Sequence, residues 1–425
     1  MAPSPVPLSP RPNPPGQKVP PNAAKTKALA ILNSSNRAVR SSAAAPAVSI
    51  TSDAADSSLD MAEQMNNEVK DRFVWGKRLG EGTYAHVYQA HYRNNPTKLV
   101  AIKKIKIVDE FIDGIALDPI REIKYLSELS HPNIIQLVAV FSNKDQNLHL
   151  VLEFAPLGDI EGLWKSRPSL PYGGADIKAW ALMICQGIWF CHENFILHRD
   201  IKGNNLLIAA DGTVKIADFG LARSFADPGG KAMTNQVITR YYRPPELFYG
   251  AYHYGSTVDM WSIGCVIAEL CLRGYFLPGQ TDIQQLALIC DHFGTPTEET
   301  WPGVTSLRHY IPPEKQTGAT KGITASSRGK PHSWWRTTFA LLGEDGIDLL
   351  KGMLAPDPNQ RLSSRAALEH RYWTSNPRPT RKENLPKLGG GKEKMAEDLK
   401  RKPGETPANG RADKVARKLD FGNMG

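Results

Sequence analysis

The chain is predicted to belong to the α+β class, with a small strand-rich lobe followed by a larger helical one. Three features of its 425 residues lead there. Short runs rich in β-branched and aromatic residues crowd the stretch from Phe73 to Phe154, with turn signals between them. After Ala155 the apolar spacing becomes helical. Both ends of the chain lack either pattern.

The elements follow in order. Residues 1–70 are rich in Pro, Ala and Ser and poor in aromatics, so disorder is expected there, for want of apolar surface to offset the entropy of ordering. No acidic residue precedes Asp53, as in a transit peptide, but the prolines between Pro3 and Pro21 oppose the amphipathic helix such a peptide needs. "FVWGKRL", "HVYQAHY" and "LVAIKKI" then read as strands, and "NLHLVLEF" as another. Between them "LDPIREIKYL" reads as a helix, with Asp118 at the N-cap and Pro119 in the first helical position. Arg121 and Glu122, adjacent in that helix, point about 100° apart and so must serve different targets. Four stretches carry helical periodicity in the second lobe: 175–194, 257–274, 282–294 and 344–355. Residues 312–332 read as a loop insertion, and the basic stretch 374–425 as a disordered tail. The expected folded region is therefore 73–373, with a first lobe 73–154 and a second 155–373.

A hydrophobic content of 41% suffices for a sizeable core. No apolar run reaches the roughly 18 residues of a membrane span. Five cysteines stand in apolar, helix-like surroundings with no paired spacing, and read as buried thiols. The net charge of +9 is uneven. Residues 376–425 hold 13 basic and 7 acidic side chains, a net +6, whereas 1–70 hold 7 and 5, a net +2. Basicity concentrated at an end suggests a nuclear address or weak nucleic-acid contact, and no sequence-specific nucleic-acid binding is expected.

Four motifs occur in one order. "LGEGTYAHVY" (79–88) puts two glycines between strands, where bare backbone can approach phosphates. "VAIKK" places Lys103 on the next strand. "HRDIKGNN" (198–205) and "ADFGLAR" (217–223) follow in the helical lobe. Each alone is weak, but all four in sequence are specific.

With these motifs the chain resembles the eukaryotic protein kinases over 73–373, including "RPPE" (243–246), "DMWSIGC" (259–265) and Arg361, which the family pairs with the position of Glu246. The resemblance implies the bilobal kinase fold and the cofactors ATP and Mg²⁺. Asp200 is then the catalytic base, and Lys202 steadies the γ-phosphate. Asn205 and Asp218 are the metal ligands, their oxygens suited to a hard cation. Lys103 holds the α/β-phosphates and is positioned by Glu122. Leu79, Gly80, Glu81, Gly82, Thr83, Tyr84, Ala85, His86 and Val87 cover the nucleotide. Ala101 and Leu207 complete the adenine slot with Leu79 and Val87, the backbone of Glu153 and Ala155 serves the adenine edge, and Leu152 is the gatekeeper, where a smaller side chain than Phe leaves a roomier back pocket. The chain departs from the family pattern at Ala85 (third loop glycine), Gly203 (usually proline) and Pro244 (usually alanine). Since Lys103, Asp200 and Asp218 are all present, an active enzyme is expected and not a pseudokinase scaffold.

"GIALDPIREIKYLSELSHPNIIQL" resembles the partner-binding helix of cyclin-dependent kinases. "GEGTYAHVYQA", "TNQVITRYYRPPE", "LPGQTDIQQL" and "FGTPTEETWP" are most similar to the kinase subunit of the general transcription factor TFIIH, the CDK-activating type. The alternative is another transcriptional or cell-cycle member. Pro119 departs from the usual alanine and is expected to shorten the helix where a cyclin grips. The resemblance implies a cyclin H-like partner around Arg121 and Glu122, a RING-type assembly factor, the TFIIH core and a nuclear location. Thr234 matches the phosphorylated activation-loop threonine, with Arg121, Arg199 and Arg223 as its phosphate-binding arginines. Val237, Ile238 and Arg243 form a pocket for proline after the acceptor, so Ser/Thr-Pro substrates are implied: RNA polymerase II C-terminal repeats, and activation loops of other cyclin-dependent kinases as a second class. "ARKLDF" (416–421) is like a cyclin-docking motif, and is equally read as part of the tail.

Overall fold

The computed structural model describes residues 53–81, 85–105, 117–143, 147–166, 169–225, 233–312 and 328–386. The expectations for Gly82, Thr83 and Tyr84, for most of the 312–332 insertion, for 1–52 and for the tail from 387, with its "ARKLDF", fall outside these residues. The chain divides into two units, 1–62 and 63–425, and both lobes belong to the second. No helix among the described residues is long and apolar enough to cross a membrane.

Residues 53–71, all but the last inside the stretch 1–70 expected to be disordered, form helix α1 (Asp53–Asp71). No proline stands between Pro46 and the end of α1, and α1 carries Lys70 in its last turn. Asn66 presents its amide to the end of a strand: Nδ2 donates to the Ser142 carbonyl at 2.8 Å and Oδ1 accepts from the Ser142 N–H at 2.7 Å. Val69 packs against the apolar cluster of Phe73, Ile102, Phe141 and Val151.

The first lobe is a five-stranded sheet of β1 (Phe73–Glu81), β2 (Ala85–Tyr92), β3 (Asn95–Ile105), β4 (Leu137–Ser142) and β5 (Leu148–Glu153), in the order β1-β2-β3-β5-β4 with antiparallel neighbours. β4, "LVAVFS", is a strand that the sequence reading did not assign, although "SHPN" (130–133) and "SNKDQN" (142–147) are turn signals on either side of it. Helix α2 (Leu117–Glu128) holds Asp118 and Pro119 in its first turn.

The second lobe holds α3 (Ile160–Lys165), α4 (Gly174–Glu193), the short strands β6 (Ile196–Leu197), β7 (Leu206–Ile208), β8 (Val214–Ile216) and β9 (Arg223–Ser224), then α5 (Pro245–Phe248), α6 (Thr257–Leu272), α7 (Asp282–Phe293), α8 (His332–Thr338), α9 (Gly343–Met353) and α10 (Ser364–Leu368). The four expected helices correspond to α4, α6, α7 and α9. α6 is buried almost all round, from Val258 to Leu270, which explains why it carries little amphipathic contrast. At the lobe's base Arg361 meets Glu246 as a buried fork, Nη1 to Oε1 at 2.7 Å and Nη2 to Oε2 at 2.8 Å.

Residues 374–386, expected to open the disordered tail, are instead fastened to this lobe. Lys178, buried in α4, donates Nζ to the carbonyls of Ser375 (3.1 Å) and Pro377 (2.8 Å). Lys382 reaches Asp211 at 2.5 Å, and Leu385 is buried in the core. Gly212, at φ +88°, lies so close that an added Cβ would fall 2.1 Å from the Lys382 carbonyl oxygen. Buried apolar area and satisfied backbone thus outweigh the basic composition that suggested disorder.

Candidate active site

Between the lobes lies a cavity of about 440 Å³ lined by residues from both, among them Ala85, Lys103, Glu122, Asp200, Asn205 and Asp218. A larger hollow, about 680 Å³, lies between α2 and β4; it holds the Glu153–Lys215 ion pair (2.9 Å) but none of these groups.

β3 carries Lys103 toward α2, and its Nζ meets Glu122 Oε2 at 2.7 Å and Oε1 at 3.0 Å. The same ammonium reaches Asp218 Oδ1 at 3.0 Å. Burial opposes the charge on Lys103, but the two carboxylates more than offset it and hold its pKa above the ordinary value. Asp218 is likewise pushed up by burial, yet Lys103 draws it below the usual carboxylate range, so it stays ionised. Burial pushes Glu122 up, against the pull of Lys103. Asp218 adopts φ +65°, an uncommon left-handed conformation that turns its carboxylate toward Lys103.

Asp200 is only 6% exposed. Its Oδ1 accepts from Thr239 Oγ1 at 2.9 Å, and its Oδ2 from Lys202 Nζ at 2.7 Å and Asn205 Nδ2 at 2.9 Å. Asn205 Nδ2 also donates to the Asp200 carbonyl, which locks the amide's orientation. Beneath the loop, Asp259 of α6 accepts the backbone N–H groups of His198 (3.0 Å) and Arg199 (2.9 Å) and contacts His192 Nε2 at 2.9 Å. Burial raises the Asp259 pKa, but these hydrogen bonds and the nearby imidazoles bring it below the usual range. His198 lies 3.1 Å from the Ala217 carbonyl through Nε2, so Nδ1 is left to accept the Asp200 N–H at 3.2 Å. Burial pulls the His198 pKa down, in keeping with a neutral ring.

Of the adenine-slot candidates, Val87, Ala101, Leu152 and Leu207 are half-buried and Leu79 is exposed. Leu152 stands opposite Ala101 in the β3–β5 register. Gly80 and Glu81 pair with Val87 and His86 in the β1–β2 hairpin. Glu153 and the half-buried Ala155 lie in the connection between the lobes.

Two departures have local reasons. A Cβ at Gly203 would fall 2.8 Å from Glu161 Cβ and 3.0 Å from its backbone nitrogen, so α3 packs directly on the catalytic-loop backbone. Ala85 is buried with Ile105 and Leu150.

Beyond the loop, Arg243 Nε donates to the carbonyls of Val237 (2.9 Å) and Ile238 (3.2 Å), and Nη2 to Ile238 at 3.1 Å. Ile238 holds φ +70°, a strained value for a β-branched residue.

The protein kinase domain family matches residues 73–373. The chain belongs to the protein kinase family. Within it, the Serine/threonine-protein kinase KIN28 of Saccharomyces cerevisiae is 44% identical over 319 residues, 74% of this chain and 97% of that protein. Cyclin-dependent kinase 7 of Xenopus laevis is 42% identical over 351 residues, 81% of this chain and 94% of that protein. A chain in the solved structure of the CAK complex from Chaetomium thermophilum bound to ATP-gamma-S is 55% identical, with a TM-score of 0.71, and the match covers 77% of this chain and 98% of that one. This kinase is thus a serine/threonine kinase of the cyclin-dependent, CDK-activating type.

The three arginines expected around a Thr234 phosphate have other partners in this kinase or lie near them. Arg121 Nη1 donates to Asp118 Oδ1 of its own helix at 2.9 Å. Arg199 Nε donates to the Leu221 carbonyl at 2.8 Å and Nη1 to the Tyr254 hydroxyl at 3.0 Å. Arg223 on β9 lies close enough to Tyr254 to act on its ionisation. Sequence reading missed the anchoring part of Asp259, although it opens the "DMWSIGC" motif, and the involvement of Asp118, whose i,i+3 spacing to Arg121 was the available signal; Tyr254 has no local signal, because Arg199 and Thr234 are distant from it in sequence.

Proposed function

We propose that this kinase transfers the γ-phosphate of ATP to serine or threonine followed by proline, with Asp200 as the base. The carrying observation is the Asp200 carboxylate, fixed on both oxygens by Thr239, Lys202 and Asn205 at the cavity that also holds Lys103 and Asp218. An acceptor hydroxyl placed there attacks the γ-phosphorus and gives its proton to Asp200, and ADP departs. Lys202, already on Asp200, lies where it would steady the transferring phosphoryl group. Lys103, kept charged by Glu122, would hold the α/β-phosphates. Leu79, Gly80, Val87, Ala101, Leu152 and Leu207 would sandwich the base, with the Glu153 and Ala155 backbone at its edge.

The donor set fits Mg²⁺. The Asn205 amide nitrogen is turned to Asp200, which leaves its oxygen free, and Asp218 keeps one carboxylate oxygen beyond Lys103. Two protein oxygens, completed by phosphates and water, are typical for this ion, which when bound would neutralise phosphate charge.

Arg243 with the Val237 and Ile238 carbonyls supports the proline preference: their acceptors are already used internally, so the pocket they border suits a residue without an N–H. The likeness to KIN28 and to the CAK complex supports a cyclin on α2, an assembly factor of the RING type, a place in TFIIH in the nucleus, and the repeats of RNA polymerase II as substrate, with activation loops of other cyclin-dependent kinases as a second class. Thr234 would be the regulatory phosphorylation site. The test is Asp200→Asn in the kinase–cyclin complex, assayed on a Ser-Pro repeat peptide. Turnover should fall by roughly 10²–10⁴; near-normal turnover would overturn the assignment.

A further inference from the structure

A tyrosine outside the catalytic motifs joins the catalytic loop to the activation segment. Tyr254 stands in the loop before α6, its ring packed against the large core. Its hydroxyl has one proton, which it donates to the Thr234 carbonyl at 2.8 Å, while its oxygen accepts from Arg199 Nη1 at 3.0 Å. Arg199 is itself anchored twice: its backbone N–H donates to Asp259 and its Nε to the Leu221 carbonyl. A second bond from the same loop runs parallel, the Met233 N–H donating to the Tyr252 carbonyl at 2.8 Å. The backbone at Thr234 is therefore tied to the buried frame through a neutral hydroxyl, with no phosphate taking part.

We infer that Tyr254 is a positioning residue that holds the Thr234 segment against Arg199 when Thr234 is unphosphorylated. The inference rests on the reading of Thr234 as the phosphorylated threonine. A phosphate dianion brings charge-assisted hydrogen bonds of its own, roughly twice as strong as neutral ones. Both devices converge on Arg199, so the tyrosine matters most when the phosphate is missing and becomes largely redundant once it is present.

The experiment uses Tyr254→Phe, which keeps the ring and its packing, in the kinase–cyclin complex. It is made in two backgrounds, Thr234→Ala and the natural chain stoichiometrically phosphorylated on Thr234. In the first, kcat/KM on a Ser-Pro peptide should fall about tenfold, the value of one hydrogen bond to a charged group. In the second the loss should stay within about twofold. Amide exchange at residues 233–235 should quicken in the first background only, with the melting temperature of the complex unchanged. Equal losses in both backgrounds, or none in Thr234→Ala, would overturn the tether. Whether phosphate on Thr234 raises the activity of the natural complex is read separately. If it does not, the phosphorylation reading fails, while the Thr234→Ala comparison still decides the tether.

Discussion

The catalytic loop and the first turn of α2 both present charged groups to the cleft, but they hold them differently. Asp200 is almost wholly buried, both of its oxygens are engaged, and the loop that carries it is fixed from below by Asp259, which is fully buried. Arg121 has a side chain 38% exposed and is held by a single carboxylate three residues away, itself 45% exposed. A pair of the second kind contributes little, about 0.2–1 kcal/mol, and is readily exchanged. The first region is held in place before substrate arrives; the second is held by one exposed ion pair, which the phosphate or cyclin proposed for Arg121 would displace at small cost.

The largest test of this contrast lies at the base of the rigid lobe. Glu246→Ala would leave the Arg361 guanidinium buried without its carboxylate, and removing one partner of such a pair costs about 3–5 kcal/mol. Urea unfolding of the kinase should show a loss of that order; a loss typical of a surface pair would mean the fork does not hold the lobe.

A smaller effect is expected on the exchangeable side. Thr234→Ala should lower activity strongly in the kinase–cyclin pair and less in a three-subunit complex, where the proposed assembly partner would hold the segment by contacts alone. A few charge-assisted bonds, each about 1.5–3 kcal/mol, suffice to shift such an equilibrium. If Arg121 receives the phosphate, then Thr234→Ala combined with Arg121→Ala should be little worse than the worse single variant. Fully multiplicative losses would assign Arg121 another task, and Asp118 would then be its permanent partner.

A pH-dependent effect concerns Glu269 of α6, whose carboxyl is pushed up to about 8 by burial, against the hydrogen bond it receives from Tyr242, with Glu161 adding to the rise and Lys165 opposing it. Folded, it keeps a proton that the unfolded chain loses near its ordinary value of 4.5. Its contribution to stability is therefore present below pH 4.5 and is lost as pH rises through about 8. The melting temperature should decline across that window, and Glu269→Gln, neutral throughout, should flatten the decline. An unchanged slope would show that the group is ionised in the folded protein.

Much of the site is legible in the chain itself. Lys103, Glu122, Asp200, Asn205 and Asp218 sit in short motifs whose order and local chemistry are properties of the covalent chain, and the structure brings them to one cavity. The helices α4, α6, α7 and α9 are legible because each is long and apolar enough to dominate its local pattern. β4 is not, because its run "LVAVF" shows no alternation, and periodicity alone does not tell such a short apolar run from a buried helix segment. The helical reach of α1 and the docking of 374–386 are hidden by polar and proline-rich composition, since each is secured by a few specific contacts such as Asn66 to Ser142 and Lys178 to Pro377.

By itself, then, the sequence determined the class of the two lobes, the order of the motifs and the charged groups available for phosphoryl transfer, all of which depend on neighbours within a turn or a strand. The tertiary structure alone decided which groups meet: Lys103 with Asp218, 115 residues apart, Lys178 with Pro377, 199 apart, Gly203 with the backbone of α3, and Tyr254 with both Arg199 and Thr234. Such pairings have no local signature. They follow from burying the core around α6, which brings together loops that the chain itself keeps far apart, and from the need of each buried polar group to find a partner there.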